Sequence, residues 1–174
     1  MIYLIINLFA ILISMQRNLL YGNITYVLND PQYRLIISLY LILTSFYLSY
    51  KIYQLFKKIH TRFPYKIFII LSLVIMIIGI LTPFNVRHPI LANIHTYFCL
   101  ASCILYILFE IICFTHMKLQ YHEAYNYFAG YYFKLLVLLC TLFIVFGRIN
   151  GYIEILFFIT ITLPLYLLEK HDFL

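Results

Sequence analysis

The chain has 174 residues, of which 65% are hydrophobic and 10% charged, and it carries a formal net charge of +6. Because soluble domains carry roughly a quarter charged residues, twelve basic and six acidic side chains are too few to cover a water-soluble core of this size. The composition therefore excludes an ordinary soluble domain and predicts an all-α integral membrane protein.

Six apolar stretches follow one another along the chain, and each is interpreted as a helix because a hydrocarbon core of roughly 30 Å needs about 20 apolar residues per crossing. They are Met1 to Met15, Leu35 to Tyr53, Ile67 to Phe84, Ile90 to Phe114, Tyr132 to Phe146 and Ile153 to Leu168. The first and fifth are short, so we expect local thinning of the bilayer or snorkelling of flanking residues there. The first has no basic residue before it and no small-residue cleavage site after it, so we interpret it as a retained helix. Without a linker or a convincing repeat, the sequence predicts one domain over residues 1–174, a polytopic transmembrane bundle of about six helices.

The positions of Lys and Arg predict the orientation, because the inner loops of membrane proteins are enriched in these residues. With the N-terminus inside, eight of the twelve fall on the inner side and four in outer loops. The run from Lys51 to Lys66 supplies five of the eight, and we expect it to contact anionic head groups rather than nucleic acid. We also expect the tyrosine-rich residues 116–128 to lie along the inner interface. The distribution predicts cytoplasmic N- and C-termini, and we expect the membrane to be the plasma membrane.

The fourth apolar stretch carries the polar pattern that bears most on function. At about 100° per residue, its polar side chains between His95 and Cys113 fall within an arc of roughly 100°. Since an ionised carboxylate is costly to expose to lipid, we expect this polar stripe to face the bundle interior. There it either packs against a neighbouring helix or lines a ligand cavity or pore. The candidate lining residues are His95, Cys99, Ser102, Tyr106 and Glu110.

Charged side chains also gather at the predicted outer ends of the helices. This outer-face cluster consists of Arg34, Arg87, His88, Arg148 and Glu154. Because arginine matches phosphate oxygens with two hydrogen bonds, the cluster is a candidate site for a lipid phosphate. The alternative is a set of ion pairs that hold the outer loops down. Asn23-Ile24-Thr25 fits a glycosylation acceptor in the first outer loop.

Catalytic and metal-binding patterns are not found in the sequence. His88 and His95 are seven residues apart, unlike the two histidines of helical zinc hydrolases, and no G-x-S-x-G elbow is present. The four cysteines form no C-x-x-C pair, which argues against a redox motif or a zinc knuckle. We therefore expect a non-enzymatic protein without a metal or cofactor.

The second half of the chain, residues 67–168, contains the run Gly79-Ile80-Leu81-Thr82-Pro83-Phe84, then His88, His95 and Tyr106, and the run Tyr152-Ile153-Glu154. In these residues it resembles the six-helix membrane family of the damage-regulated autophagy modulators and its bacterial relatives. In that family a Pro-aromatic helix end precedes an outer loop, a His stands near the start of the next helix, and a Tyr follows along it. The last helix of the family carries an early Glu, usually followed by Tyr or Trp, where this chain has Ile155. The resemblance implies a six-helix bundle with inside termini, tied in some members to lipid handling.

Three functional hypotheses follow from these patterns. The leading one is a protein that binds a lipid or other hydrophobic ligand in its polar-striped bundle. The second is a subunit of an oligomeric pore, in which Glu110 supplies a ring of carboxylates on homo-oligomerisation. The third is an accessory subunit that packs against a larger membrane complex.

Overall fold

The computed structural model describes residues 1–59, 64–85 and 87–170, and in these residues the chain is helical, as predicted. Each of the six apolar stretches forms a helix, and a short additional helix lies in the first predicted outer loop. The helices are α1 (Ile2–Ser14), α2 (Ile24–Leu28), α3 (Arg34–Ile59), α4 (Tyr65–Leu81), α5 (Pro89–Gln120), α6 (His122–Phe146) and α7 (Gly151–Lys170).

Four of these helices are long and apolar enough to cross a membrane: α3, α5, α6 and α7. The helices α1 and α4 are apolar but shorter, with 13 and 17 residues. At a rise of 1.5 Å per residue they reach about 20 and 26 Å, against a hydrocarbon core of roughly 30 Å. The lengths and composition of the four long helices make the chain a helical membrane protein.

The boundary between α5 and α6 differs from the apolar pattern. The helix α5 continues six residues past Phe114 and reaches 32 residues, or about 48 Å. The helix α6 begins at His122, ten residues before the apolar stretch that predicted it. Tyr121 separates the two helices with φ −137° and ψ 62°. Residues 116–128, expected at the membrane interface, are therefore the end of one helix and the start of the next. The apolar pattern marks only the part of a helix that contacts lipid. The helix itself continues until a residue breaks its run of backbone hydrogen bonds.

The helices group into two compact units. The first contains α1, α2, α6 and α7, and in it α7 packs against both α1 and α6. Asn7 on α1 donates hydrogen bonds from Nδ2 to the carbonyl oxygen of Tyr3 (2.8 Å) and to Oγ1 of Thr162 on α7 (2.7 Å). The rings of Tyr3 and Tyr166 meet edge to face with centroids 6.2 Å apart. These two contacts pair the helices in antiparallel register.

The second unit contains α3, α4 and α5, and α4 packs against both of its neighbours. Aromatic rings join the three helices at one end. The ring of Phe56 on α3 stacks on that of Tyr65 on α4 with centroids 5.0 Å apart, and it meets Phe109 on α5 edge to face at 6.1 Å. All five candidate residues of the polar stripe lie in this unit.

Candidate functional site

The polar stripe of α5 is turned toward protein. His95, Ser102, Tyr106 and Glu110 are between 0% and 3% exposed, whereas Ile104 and Leu108 on another face are 48% and 44% exposed. This arrangement agrees with the cost of placing polar side chains against lipid.

Two hydroxyl groups of the stripe bind the neighbouring helices. The Tyr106 hydroxyl donates to the carbonyl oxygen of Ser45 on α3 (3.1 Å) and lies 2.6 Å from Oγ of Ser49. Because the Tyr106 hydrogen is used, Ser49 is the donor in the second bond. Ser102 donates to the carbonyl oxygen of Ser72 on α4 (3.0 Å), and the two serine hydroxyls are 3.2 Å apart. These bonds connect α5 to both other helices of its unit.

His95 closes the end of α4. Its Nδ1 lies 2.8 Å from the carbonyl oxygen of Gly79 and 2.9 Å from that of Thr82. Both partners are acceptors, so Nδ1 carries the hydrogen and donates to them. In a continuous helix the Gly79 carbonyl would accept from the amide of residue 83, but Pro83 has no N–H. The imidazole thus replaces the missing backbone donor at a helix end.

The helices α4 and α5 come closest beside His95. A Cβ placed on Gly79 would lie 2.7 Å from Sγ and 3.1 Å from the backbone nitrogen of Cys99. The absence of a side chain at position 79 is therefore what permits this approach.

Glu110, two turns further along α5 from Cys103, is 1% exposed.

The outer-face cluster is divided between the two units. In the first unit, the Glu154 carboxyl accepts a hydrogen bond from the backbone N–H of Ile24 at 2.5 Å. Nη2 of Arg148 donates to the carbonyl oxygen of Leu20 (3.1 Å), and its guanidinium carbon lies 4.9 Å from the centroid of the Tyr21 ring. Arg148 and Glu154 therefore hold the first loop against the start of α7.

The side chain of Asn23, the potential glycosylation acceptor, belongs to the same arrangement. Its Oδ1 accepts from the backbone N–H of Tyr26 (3.1 Å), and its Nδ2 donates to the carbonyl oxygen of Ile149 (3.4 Å). Asn23 is thus the N-cap of α2. Attaching a glycan to Nδ2 would disturb the contact with Ile149.

The other three members of the outer-face cluster lie in the second unit. Nη2 of Arg34 donates to the carbonyl oxygen of Leu81 near the end of α4 (3.3 Å). Arg87 and His88 are exposed and immediately precede α5, which begins at Pro89. Arg34 therefore makes a contact that joins α3 to α4, while Arg87 and His88 are open to their surroundings.

A groove that the sequence analysis did not identify lies between α3 and α4 and has a volume of about 310 Å³. Each helix contributes four residues, and in both helices they are spaced 0, 3, 4 and 7 along the chain. They are Phe46, Ser49, Tyr50 and Tyr53 on α3, and Lys66, Ile69, Ile70 and Leu73 on α4. This spacing follows one face of a helix, but every apolar helix has such faces, so only the pairing of α3 with α4 reveals the groove.

The two ends of the groove differ chemically. The rings of Tyr53 and Tyr65 are 5.9 Å apart, which sets the antiparallel register and brings Tyr53 to the level of Lys66. Phe46 and Leu73 lie at the opposite end, about 10 Å away at 1.5 Å per residue. The lining is almost wholly apolar, and the residues that carry an ammonium group or a phenol, Lys66, Tyr50 and Tyr53, lie toward one end.

The groove also touches the polar stripe through one residue. Ser49 lines the groove and donates its hydroxyl hydrogen to Tyr106 on α5. None of the five candidate residues of the polar stripe is among the eight residues that line the groove. The stripe contacts the groove indirectly, through the hydrogen bond between Tyr106 and Ser49.

Comparisons of the chain with protein-family models, with curated proteins and with solved structures found no match.

Proposed function

We propose that the chain is a non-enzymatic, six-helix integral membrane protein that binds a membrane lipid in the groove between α3 and α4. The observation that carries the proposal is the gradient from the almost wholly apolar lining of that groove to the exposed side chain of Lys66 at one of its ends. A lipid has the same gradient, because its acyl chain is apolar and its head group is polar.

The size of the groove matches part of one acyl chain. A volume of about 310 Å³ holds roughly ten groups the size of a water molecule, at ~30 Å³ each. Phe46, Tyr50 and Ile70 on its rim are 50%, 55% and 62% exposed, so a chain can enter from the side without opening the helices. Filling such a groove gains dispersion contacts, which are the main attraction available between apolar surfaces in lipid.

The proposed topology counts α1 and α4 as the two remaining spans and places both termini on the cytoplasmic side of the plasma membrane. Lys51, Lys57, Lys58 and Lys66 then lie on the cytoplasmic side, as the distribution of basic residues predicts. Arg62, which belongs to the same basic run, lies outside the described residues. Membership of the six-helix family that the second half resembles is part of this proposal, since lipid handling occurs in that family.

Native mass spectrometry after gentle detergent extraction tests the proposal. Leu73→Trp places a large side chain at the apolar end of the groove, and we expect it to reduce the amount of retained lipid. Leu71→Trp is the matched control, because Leu71 lies on another face of α4 and is 46% exposed. Equal lipid retention by the wild type and Leu73→Trp would exclude this groove as the binding site.

A pore subunit is the second candidate function, and one observation favours it. Glu110 places a carboxyl group in α5, a helix long and apolar enough to cross a membrane, and intramembrane carboxyl groups often mark ion paths. Planar-bilayer recordings of the wild type and Glu110→Gln address this candidate. A wild type without conductance, or a variant with unchanged conductance and selectivity, would remove this role from Glu110.

A further inference from the structure

We infer that the lysine end of the α3–α4 groove selects lipids whose phosphate head group carries a net negative charge. This inference rests on the proposed lipid binding and adds to it the chemistry of the head group.

Lys66 has the position and freedom that a phosphate ligand requires. It lines the groove in the first turn of α4, is exposed, and forms no ion pair with any of the described residues. A lysine ammonium has three hydrogen-bond donors on a flexible stem. It can therefore reach phosphate oxygens while an acyl chain lies between Ile69 and Leu73.

A phenol on the wall of the same groove adds a second donor. Tyr50 accepts a hydrogen bond from Nε2 of Gln54 at 2.7 Å, which orients its hydroxyl and leaves the hydroxyl hydrogen to donate outward. Tyr50 is 55% exposed and lines the same groove. A phosphate at this end of the groove can thus receive hydrogen bonds from an ammonium group and from a phenol.

The charge of the surrounding unit favours an anionic over a zwitterionic head group. Residues 34–120 contain eight Lys and Arg but a single acidic residue, Glu110, which is buried. Lys57 and Lys58 in the last turn of α3 are exposed. A zwitterionic head group would bring a cation of its own toward these lysines, whereas an anionic one brings none.

The experiment measures which lipids remain bound when the protein is taken from nanodiscs that contain equal amounts of phosphatidylglycerol and phosphatidylcholine with identical acyl chains. We expect the wild type to retain mainly phosphatidylglycerol. Lys66→Gln should reduce this preference about fivefold, the effect of one lysine near a membrane surface. Total lipid retention should stay close to that of the wild type, and Lys66→Arg should keep the preference.

Lys57→Gln is the matched control, since it removes a charge of the same type from the same end of the unit without touching the groove. A retained preference in Lys57→Gln supports a localised site. Equal losses in Lys57→Gln and Lys66→Gln would overturn the inference, because binding would then be diffuse electrostatic attraction.

Different results would contradict the proposed lipid binding and the inferred head-group preference. If the wild type retains both lipids equally, or if Lys66→Gln keeps the preference, the head-group inference is wrong and lipid binding stands. If the wild type retains neither lipid, the proposed function is wrong and the inference falls with it.

Discussion

The close approach of α4 and α5 at Gly79 provides the sharpest test of the packing. In Gly79→Ala, the new methyl group would lie 2.7 Å from Sγ of Cys99, 3.1 Å from its backbone nitrogen and 3.4 Å from Cβ of Phe98. The sulfur can rotate away, but the backbone of α5 cannot. We therefore expect the two helices to separate at this point, which also strains the hydrogen bonds that His95 donates to α4.

The magnitude follows from three contributions. Inserting a methyl group into a tightly packed site costs about 1–3 kcal/mol. Weakening one interhelical hydrogen bond in a membrane protein adds about 0.6 kcal/mol. The higher helix propensity of alanine relative to glycine offsets at most about 1 kcal/mol of this loss. The free energy of unfolding should therefore fall by about 0.6–2.6 kcal/mol.

Gly130 supplies the matched control. It lies within α6, and a Cβ placed on it would have nothing within 4 Å. Gly130→Ala should therefore raise the free energy of unfolding by about 0.5–1 kcal/mol through helix propensity alone. Titration with a denaturing detergent, followed by the fluorescence of the 18 tyrosines, gives both values. Hydrogen exchange then locates each effect in α4 and α5 or in α6.

A double variant isolates the contact itself. Cys99→Ala removes the sulfur but not the backbone nitrogen, so it should restore part of the stability that Gly79→Ala loses. If Gly79→Ala proves as stable as Gly130→Ala, the described approach of α4 to α5 is wrong.

Three further predictions concern the hydrogen bonds of the candidate residues. Tyr106→Phe removes a hydroxyl that bonds twice to α3 and should lower the free energy of unfolding by about 1–2 kcal/mol; wild-type detergent stability would contradict this. His95→Phe leaves a buried carbonyl group, that of Gly79, and a half-buried one, that of Thr82, without their donor at the end of α4, at about 1–3 kcal/mol. Adding Pro83→Ala, which supplies an amide for Gly79, should recover part of the loss, and no recovery would count against the capping role of His95. Glu154→Ala should speed hydrogen exchange in α2 while Glu154→Gln, which keeps an acceptor, should not, and equal rates would refute the role of this carboxyl group.

Hydropathy was sufficient to predict the class of the protein, and it failed at the ends of the helices. The all-α membrane architecture is confirmed, whereas six crossings and inside termini stay predictions. The start of α6 was missed by ten residues because His122 to Tyr131 is polar and aromatic, so hydropathy does not mark it, although it contains no proline that would end a helix. The short helix α2 was missed because its stability depends on the cap at Asn23 and on the Glu154 carboxyl, 131 residues along the chain from the cap.

For the polar stripe, too, the sequence predicted which residues face inward but not which residues they contact. Periodicity placed His95, Ser102, Tyr106 and Glu110 on one inward face of α5. It contained nothing to select Ser45, Ser49 and Ser72 as the residues that Tyr106 and Ser102 would meet, since the periodicity of α5 does not specify which side chains of another helix lie opposite it. The prediction that the stripe lines a ligand site stays a prediction, because the described hydrogen bonds of these side chains are made to neighbouring helices.

The sequence by itself determined that the six apolar segments are helical, that lipid surrounds them, and which face of α5 turns inward, because these properties depend on local composition and on the helical repeat of one segment. The tertiary structure decided which helices pair, and in what register. Pairing created the groove, since Phe46 and Leu73 meet only when α3 and α4 lie antiparallel. It also brought His95 to the Gly79 carbonyl group, which Pro83 leaves without a backbone donor. Contacts between segments depend on the complementary shapes of two surfaces, and that information is not present in either segment alone.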